Sequence, residues 1–314
     1  MTERDPVIVD GDLQSFRDKT VLVTGGAGFI GSVLCAELAR AGAIVHSVSR
    51  REHGPISALR HWRVDLTAST AVSELIRSVQ PAYVFHLASH VMGAPDIHHV
   101  LPAFHSNLQT SVNLMCALAE VGCTRVITTG SLVEPDPGVE QKTPNSPYAA
   151  AKWAASDYAR MFHALYGLPI AIARVFMVYG PGQQDESKLV PYVIRCLLGG
   201  GVPQISSGKH SIDWVFVGDV VAGLMKLAAS SNIDGKTVDL GSGSVVTTAT
   251  LVDTICKLMA PNVRPVYGAI PDRPLEPQRV ARVEESQRLI GWTPKVGLTE
   301  GLQKTIDSYR HAGE

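Results

Sequence analysis

Thr20-Val21-Leu22-Val23-Thr24-Gly25-Gly26-Ala27-Gly28-Phe29-Ile30-Gly31 decides the fold. A short apolar run enters a cluster of glycines. Ile30, Val33, Leu34, Leu38 and Ala41 then recur at helical spacing until Gly42. The stretch therefore reads as strand, tight turn, helix. Gly25, Gly28 and Gly31 are spaced G-x-x-G-x-x-G, and Gly26, Gly28 and Gly31 are spaced G-x-G-x-x-G. Glycine permits the turn, lets backbone approach a phosphate, and lets the helix pack on its strand. The helix N-terminus adds unsatisfied N–H groups and partial positive charge. A dinucleotide pyrophosphate fits such a turn, and the flanking strand and helix raise the motif above a plain glycine-rich loop.

Outward from this unit the same alternation continues. Strands are expected at residues 44–48, 62–64, 82–86, 124–128 and 170–174, and helices at 69–79, 104–120 and 148–166. Strands alternating with helices imply a parallel sheet covered on both faces. Composition shifts after Gly180 into short helices and Gly- and Pro-rich turns. A helix over 219–229 and a strand over 237–240 are placed to return to the main sheet. The expected organisation is an N-terminal extension (1–18), a dinucleotide-binding domain (19–180, with a return segment of about 219–243), and a smaller substrate lobe (181–218 and 244–314).

Bulk properties exclude several classes. The 314 residues are 45% hydrophobic and 18% charged, with a net charge of −1 and no basic run, so nucleic acid is not an expected partner. No apolar stretch approaches the roughly 20 residues of a membrane span. The first 18 residues carry Glu3, Asp5, Asp10, Asp12 and Asp18 and lack the order of a signal peptide, so a cytoplasmic protein is expected. Cys35, Cys116, Cys123, Cys196 and Cys256 include no C-x-x-C pair and read as buried thiols. His86 and His90 are four apart, but they fall on a strand running into a turn, so no metal site is expected.

Two further places carry chemistry. After the second strand comes Ser49-Arg50-Arg51, where a carboxylate would have bonded the ribose 2′-hydroxyl of NAD. A hydroxyl and two guanidiniums suit a 2′-phosphate, so NADP(H) is preferred and NAD is possible. Asp65-Leu66 follows the third strand, where a side chain can meet the adenine edge. Tyr148 and Lys152 are i and i+4 on one helix face, and the ammonium is expected to draw the phenol towards the working range of an acid–base group.

Together these motifs resemble the extended short-chain dehydrogenase/reductases of the NAD-dependent epimerase/dehydratase, nucleotide-sugar type, over nearly everything after Lys19. The resemblance implies an α/β, Rossmann-type doubly wound parallel sheet with a smaller C-terminal substrate lobe. It implies that Gly25, Gly28, Phe29, Ile30 and Gly31 form the cofactor fingerprint, that Asp65 contacts adenine, and that His86-Leu87-Ala88-Ser89 is the strand-four motif, with Leu87, Ala88 and Ser89 at the cofactor and His90 towards substrate. Asn107 resembles a helix asparagine of that family, and residues 289–294 resemble its C-terminal signature. The catalytic hydroxyl beside Tyr148 and Lys152 is then Ser131, with Thr129 as the fallback. Sugar 4,6-dehydratases follow that hydroxyl with an Asp-Glu pair. Leu132-Val133 stands here, with Glu134 displaced, which disfavours dehydration.

In the C-terminal part, Lys188, Leu189, Trp214 and Arg273 resemble residues lining a nucleotide-sugar site. Met177 stands at a substrate-facing position where the family usually has asparagine, and Ile212 where an arginine usually stands. The expected activity is NADPH-dependent reduction of a keto group on a nucleotide-activated deoxyhexose. An epimerase, a reductase of a small non-sugar carbonyl compound, and a non-catalytic dinucleotide sensor are the alternatives. Family members often dimerise through the two helices expected at 104–120 and 148–166. The apolar positions on the second, including Ala150, Trp153, Ala154, Met161 and Leu165, make a homodimer the expected state.

Overall fold

The computed structural model describes residues 13–50, 59–135, 143–272 and 278–311. Its centre is a seven-stranded sheet. The strands are β1 (Thr20–Thr24), β2 (Ile44–Val48), β3 (Leu59–Trp62), β4 (Tyr83–His86), β5 (Arg125–Ser131), β6 (Ile170–Val175) and, after the short strands β7 (Met177–Tyr179), β8 (Ser211–Ile212) and β9 (Trp214–Phe216), β10 (Thr237–Leu240). The order across the sheet is β3-β2-β1-β4-β5-β6-β10, and every pairing is parallel. The order reverses between β1 and β4, the point where doubly wound sheets open a crevice for ligands.

Strand alternation explains why the sheet is buried on both sides. Val21 and Val23 of β1 enter one apolar core, and Leu22 enters another. Phe85 and Val84 divide in the same way, as do Ile127 and Val126, and Ala171 and Ile172. One face is covered by α1 (Phe29–Arg40) and α7 (Val217–Ala229). The other is covered by α2 (Ser69–Val79), α4 (Thr110–Val121) and α5 (Pro147–Tyr166), which supply Ile76, Leu118 and Phe162. The first core runs on into α6 (Leu189–Leu198), α8 (Thr248–Met259), α9 (Val283–Ile290) and α10 (Leu298–His311) through Val193, Ile255, Ile290 and Leu302. Strand β8 pairs with β11 (Val246–Thr247), and β7 pairs with β9.

The returning segment is tied to the sheet by charge as well as by pairing. Strand β10 lies in register against β6, and the buried Asp239 carboxylate accepts Arg174 Nε and Nη2, both at 2.7 Å. The second carboxylate oxygen takes the Arg282 backbone N–H at 3.0 Å, which draws the chain before α9 onto the same strand. The C-terminal signature has a comparable structural role. Trp292 Nε1 donates to the Asp219 carbonyl at 3.0 Å, while the Asp219 carboxylate accepts the Lys295 and Val296 N–H groups at 3.0 and 2.9 Å.

Several expected boundaries move. The third strand ends at Trp62 instead of running to Val64, because its register is set by β2, with Val48 opposite Trp62 and Trp62 Nε1 bonded to His46 Nδ1 at 2.9 Å. This edge strand has no apolar run to announce it. The fifth strand is longer, since Thr129, Gly130 and Ser131 pair with Ala173, Arg174 and Val175 of β6. The helix expected at 104–120 begins earlier, as α3 (Val100–Ala103), and passes through a π-helical segment, Phe104–Gln109, before α4. Pro102 is tolerated there because it lies in the first turn, where its missing N–H has no intrahelical partner. The expectation of buried thiols holds for Cys35 and Cys256 and fails for Cys116, which is exposed on the outer side of α4; Cys123 and Cys196 are half-buried. Among the described residues, no helix is long and apolar enough to cross a membrane, and no group of side chains could hold a metal ion.

Candidate active site

The carboxyl ends of β1, β4 and β5 bring the motifs together. Between β1 and α1, Gly25 adopts φ +69° and donates its N–H to the Val48 carbonyl at 2.8 Å. A side chain at Gly25 would meet the Ala88 backbone at 2.8 Å, and one at Gly31 would meet the Gly25 carbonyl oxygen at 2.2 Å. Both glycines are therefore required by contact with backbone, which cannot give way. Helix α1 starts from Gly28 with no side-chain cap. Its first-turn N–H groups, around half-buried Phe29 and Ile30, are left to an anion. This cradle fits a dinucleotide pyrophosphate. From the loop after β7, Gln184 Nε2 reaches the Ala27 carbonyl at 3.0 Å, a contact across the turn that no sequence motif announced.

At the end of β2, Ser49 is half-buried and donates its N–H to the Trp62 carbonyl at 3.2 Å, and Arg50 is exposed. Arg51 and Arg273 lie outside the described residues. Asp65 accepts the Thr67 N–H at 3.0 Å and the Thr67 hydroxyl at 2.8 Å. These bonds, with the charge of Arg50 in support, hold its carboxyl below the usual carboxylate range. Leu66 turns its side chain into the core, and its carbonyl takes Asn113 Nδ2 of α4 at 3.0 Å.

The loop after β4 is fixed by a buried polar chain. Leu87 and Ala88 donate to the carbonyl and hydroxyl of Thr24, each at 3.2 Å. Asn107, in the π-helical segment, accepts the Ser89 hydroxyl at 2.9 Å and the His90 N–H at 2.7 Å, and returns a bond to the His90 carbonyl at 3.2 Å. A π-helical turn re-aims one side chain relative to a regular helix, and here that side chain is the asparagine that shapes the loop. His86 lies between Thr24 Oγ1 at 2.7 Å and Ser111 Oγ at 3.0 Å. Burial, with Lys152 in support, pushes its pKa down to about 3. Both ring nitrogens are engaged, so the ring is a neutral structural link and its spacing from His90 carries no metal chemistry.

The candidate acid–base group forms where β5 meets α5. Ser146 caps α5 by accepting the Ala149 N–H at 3.2 Å, and Pro147 opens the first turn. Tyr148 and Lys152, one turn apart, then face the strand. The Ser131 hydroxyl lies beside the Tyr148 phenol and favours its ionised form. Lys152 Nζ donates to Thr129 Oγ1 at 3.0 Å, and Thr129 in turn donates to the His86 carbonyl at 3.3 Å. The two candidate hydroxyls thus divide the work, one at the phenol and one at the ammonium. Glu134 joins them unexpectedly. It is buried, accepts the Ser131 N–H at 2.7 Å through Oε1, and accepts the Ser156 hydroxyl at 2.8 Å through Oε2.

The electrostatics reverse one expectation. Burial pushes the Tyr148 phenol up to about 12, the nearby Glu134 adds to this, and the Ser131 hydrogen bond only partly opposes it. Burial also draws Lys152 down to about 8, against the pull of Glu134. The phenol moves away from neutrality instead, because loss of water outweighs the opposing Ser131 hydroxyl. The phenol is held as a neutral proton donor.

The positions expected to face substrate are spread along the cleft. His90 is half-buried, with the ring of His99 tilted against it 5.7 Å away, and its pKa is lowered by burial and by the charges of His99, Arg50 and Lys188. Lys188 Nζ reaches the Val91 carbonyl at 3.3 Å, bridging the two sides, and Leu189 packs against the core. Met177 is exposed on β7. Trp214 is buried and edge-on to Tyr179 at 6.5 Å, so its ring belongs to the core.

A dinucleotide cradle beside a phenol, a hydroxyl and a lysine defines an NAD(P)-dependent enzyme of the extended short-chain dehydrogenase/reductase class. Comparison with known proteins agrees. Residues 21–241 match the NAD dependent epimerase/dehydratase family, and the chain belongs to it. It is 29% identical to a probable dTDP-glucose 4,6-dehydratase of Sinorhizobium fredii, over 93% of each chain. The UDP-glucose 4-epimerase of Thermotoga maritima, solved with UDP-glucose, superposes with a TM-score of 0.85 at 27% identity, covering 94% of this chain and 99% of that one. MoeE5, solved with UDP-glucuronic acid and NAD, superposes with a TM-score of 0.81 at 32% identity, covering 93% of this chain and 99% of that one.

Gly31→Ala is expected to abolish dinucleotide binding, measured by fluorescence titration, and to lower stability by about 1–3 kcal/mol through overpacking. Near-normal binding by this variant would show that the turn is not the pyrophosphate cradle.

Proposed function

We propose that the protein reduces a keto group on a nucleotide-activated deoxyhexose, using NADPH. The observation that carries this reading is the Ser131 hydroxyl beside the Tyr148 phenol and a buried Lys152 bonded to Thr129, in a site where Leu132-Val133 replaces the acidic pair that elimination needs. The nicotinamide supplies hydride when bound. Tyr148 donates its proton to the oxygen that becomes an alkoxide, and the O–H of the product forms as that of the phenol breaks. Ser131 orients that oxygen. Lys152 carries the positive charge that stabilises the phenolate left behind, and Thr129 holds its Nζ in place. Phosphate preference is argued from Ser49 and Arg50, which stand where NAD-selective members have a carboxylate. His90, Met177, Lys188 and Leu189 are proposed to meet the substrate.

An epimerase that retains NAD is the second reading, favoured by the NAD and UDP-glucuronic acid bound in MoeE5. Cofactor retained through purification distinguishes the two: tightly held NAD supports the epimerase, whereas a site that binds added NADPH supports the reductase. In titrations NADPH is expected to bind more tightly than NADH, with Arg50→Ala weakening NADPH by on the order of tenfold and leaving NADH nearly unchanged. Tighter NADH in the unmodified protein contradicts the phosphate reading.

Tyr148→Phe is expected to bind cofactor normally and to lose about two to four orders of magnitude in turnover. Lys152 is charged below its pKa of about 8, so activity is expected to fall as pH rises through that value. Turnover within a few-fold of normal in Tyr148→Phe removes the phenol from the mechanism.

We also propose a homodimer through α3, the π-helical segment, α4 and α5. Ile97, Leu101, Phe104 and Leu165 are 76%, 64%, 45% and 68% exposed. An apolar groove of about 680 Å³ runs between Val100, Phe104 and Leu108 on one side and Ala150 and Ala154 on the other. Small residues on α5 let a second copy approach closely. Met161 packs against the inner core, so the informative substitution is Phe104→Glu. Light scattering is expected to give twice the chain mass for the unmodified protein and the single-chain mass for Phe104→Glu. A monomer in the unmodified protein overturns the proposal.

A further inference from the structure

We infer that Glu134 is the buried counter-charge that keeps Lys152 an ammonium at neutral pH, which makes it a positioning residue for the chemistry of the site. The inference rests on the proposed reduction only for the reaction it serves, since the charge arrangement belongs to the fold.

Glu134 lies one turn beyond the end of β5, with its N–H on the Ser131 carbonyl at 3.0 Å. Its side chain folds back beneath that turn and is only 4% exposed. One carboxylate oxygen holds the backbone of Ser131, and the other holds Ser156, which follows Tyr148 and Lys152 at i+8 and i+4 on the same face of α5. Hydrogen bonding alone does not require a carboxylate here. A glutamine has the same shape, its carbonyl can take the Ser131 N–H, and its amide can donate to the Ser156 hydroxyl. Burying a charge costs free energy unless an opposite charge is close. The chemical reason for an acid at this position is therefore a cation nearby, and Lys152 lies one turn before Ser156 on the face of α5 that the carboxylate binds.

The groups around the carboxylate support this. From α5, Lys152 and Arg160 both act to keep Glu134 ionised, against the burial that raises its pKa. Arg160 is mainly engaged at the surface, where it pairs with Asp157 at 2.6 Å and reaches Thr237 at 3.2 Å. Tyr148 contributes a neutral phenol. Beyond Lys152, His86 of β4 is held neutral, so it adds no positive charge to the pocket. Lys152 is the buried cation, and the carboxylate acting on it is that of Glu134. The same negative charge opposes phenolate formation at Tyr148. In the dehydratases that this chain resembles, acidic residues directly follow the catalytic hydroxyl; here the acid stands three positions after Ser131 and turns inward to the Ser131 N–H and the Ser156 hydroxyl.

Removing the charge should lower the pKa of Lys152 further, since the favourable partner of its charged form is lost. The direct test is an NMR pH titration of the Lys152 side chain in the full protein, assigned by comparison with Lys152→Met. The unmodified protein is expected to titrate near 8. E134Q is expected to titrate at least about one pH unit lower, the usual scale for loss of a close opposite charge. E134D keeps the charge and is expected to stay near the unmodified value. An unchanged midpoint in E134Q overturns the inference.

Should E134Q fail to fold, the carboxyl carbon of Glu134 in the unmodified protein decides: an ionised group at pH 7 supports the inference, and a protonated one overturns it. The basic limb of the pH profile for NADPH-dependent reduction is expected to move down with the Lys152 midpoint. A shifted midpoint in a protein that performs no reduction would refute the proposed reaction while leaving the role of Glu134 standing.

Discussion

Because the seven strands run parallel, their carboxyl ends all lie along one edge, and every reactive element depends on that alignment. The glycine turn leaves β1, the loop from Leu87 to His90 leaves β4, and Ser131 closes β5. The opposite alternation of side chains into two cores keeps these ends in register. Val21 and Val23 are held from one face and Leu22 from the other, so β1 cannot slip without exposing an entire row of buried groups. The turn then has almost no slack. Gly31 packs where a single added carbon would fall 2.2 Å from a backbone oxygen. Helix α5 completes the site from the side, and its own start is fixed by Ser146 and Pro147.

Within this frame the chemistry is governed by competition between burial and nearby charge. Burial alone disfavours the charged form of every ionisable group at the junction of β5 and α5. It leaves His86 neutral, keeps the proton on Tyr148, and would leave Lys152 weakly charged. At Tyr148 the Ser131 hydroxyl opposes burial more than Glu134 adds to it. At Lys152 the charge that opposes burial is the carboxylate of Glu134. The same competition explains why the surface carboxyl of Asp65 behaves oppositely: it is exposed, and two hydrogen bonds from Thr67 stabilise its anion.

How much of this was legible in the sequence follows from which forces leave a local trace. The unit from Thr20 to Gly31 was legible because periodicity and glycine spacing are local. Tyr148 and Lys152 were legible because helical spacing puts them on one face. The C-terminal return was legible as a helix followed by a strand, although its Arg174–Asp239 bond to the sheet was not. Strand β3 was misplaced because an edge strand needs no apolar run. The π-helical segment was missed because nothing in Phe104–Gln109 distinguishes it from regular helix. The phenol was expected to shift the wrong way because burial is a property of the assembled fold. Glu134 carried no motif; only the turn after β5 brings it under Ser131. Trp214 shows the reverse case, a residue in a motif-like segment whose ring is spent on the core.

The central claim is net transfer of hydride to a sugar carbonyl. The most direct measurement follows NADPH carrying deuterium at the transferring position of the nicotinamide, incubated with nucleotide-linked keto-deoxyhexoses and the unmodified protein. The account predicts stoichiometric oxidation of the cofactor, with one deuterium fixed on a carbinol carbon of the sugar. Interconversion of sugar stereoisomers without net cofactor oxidation would contradict it.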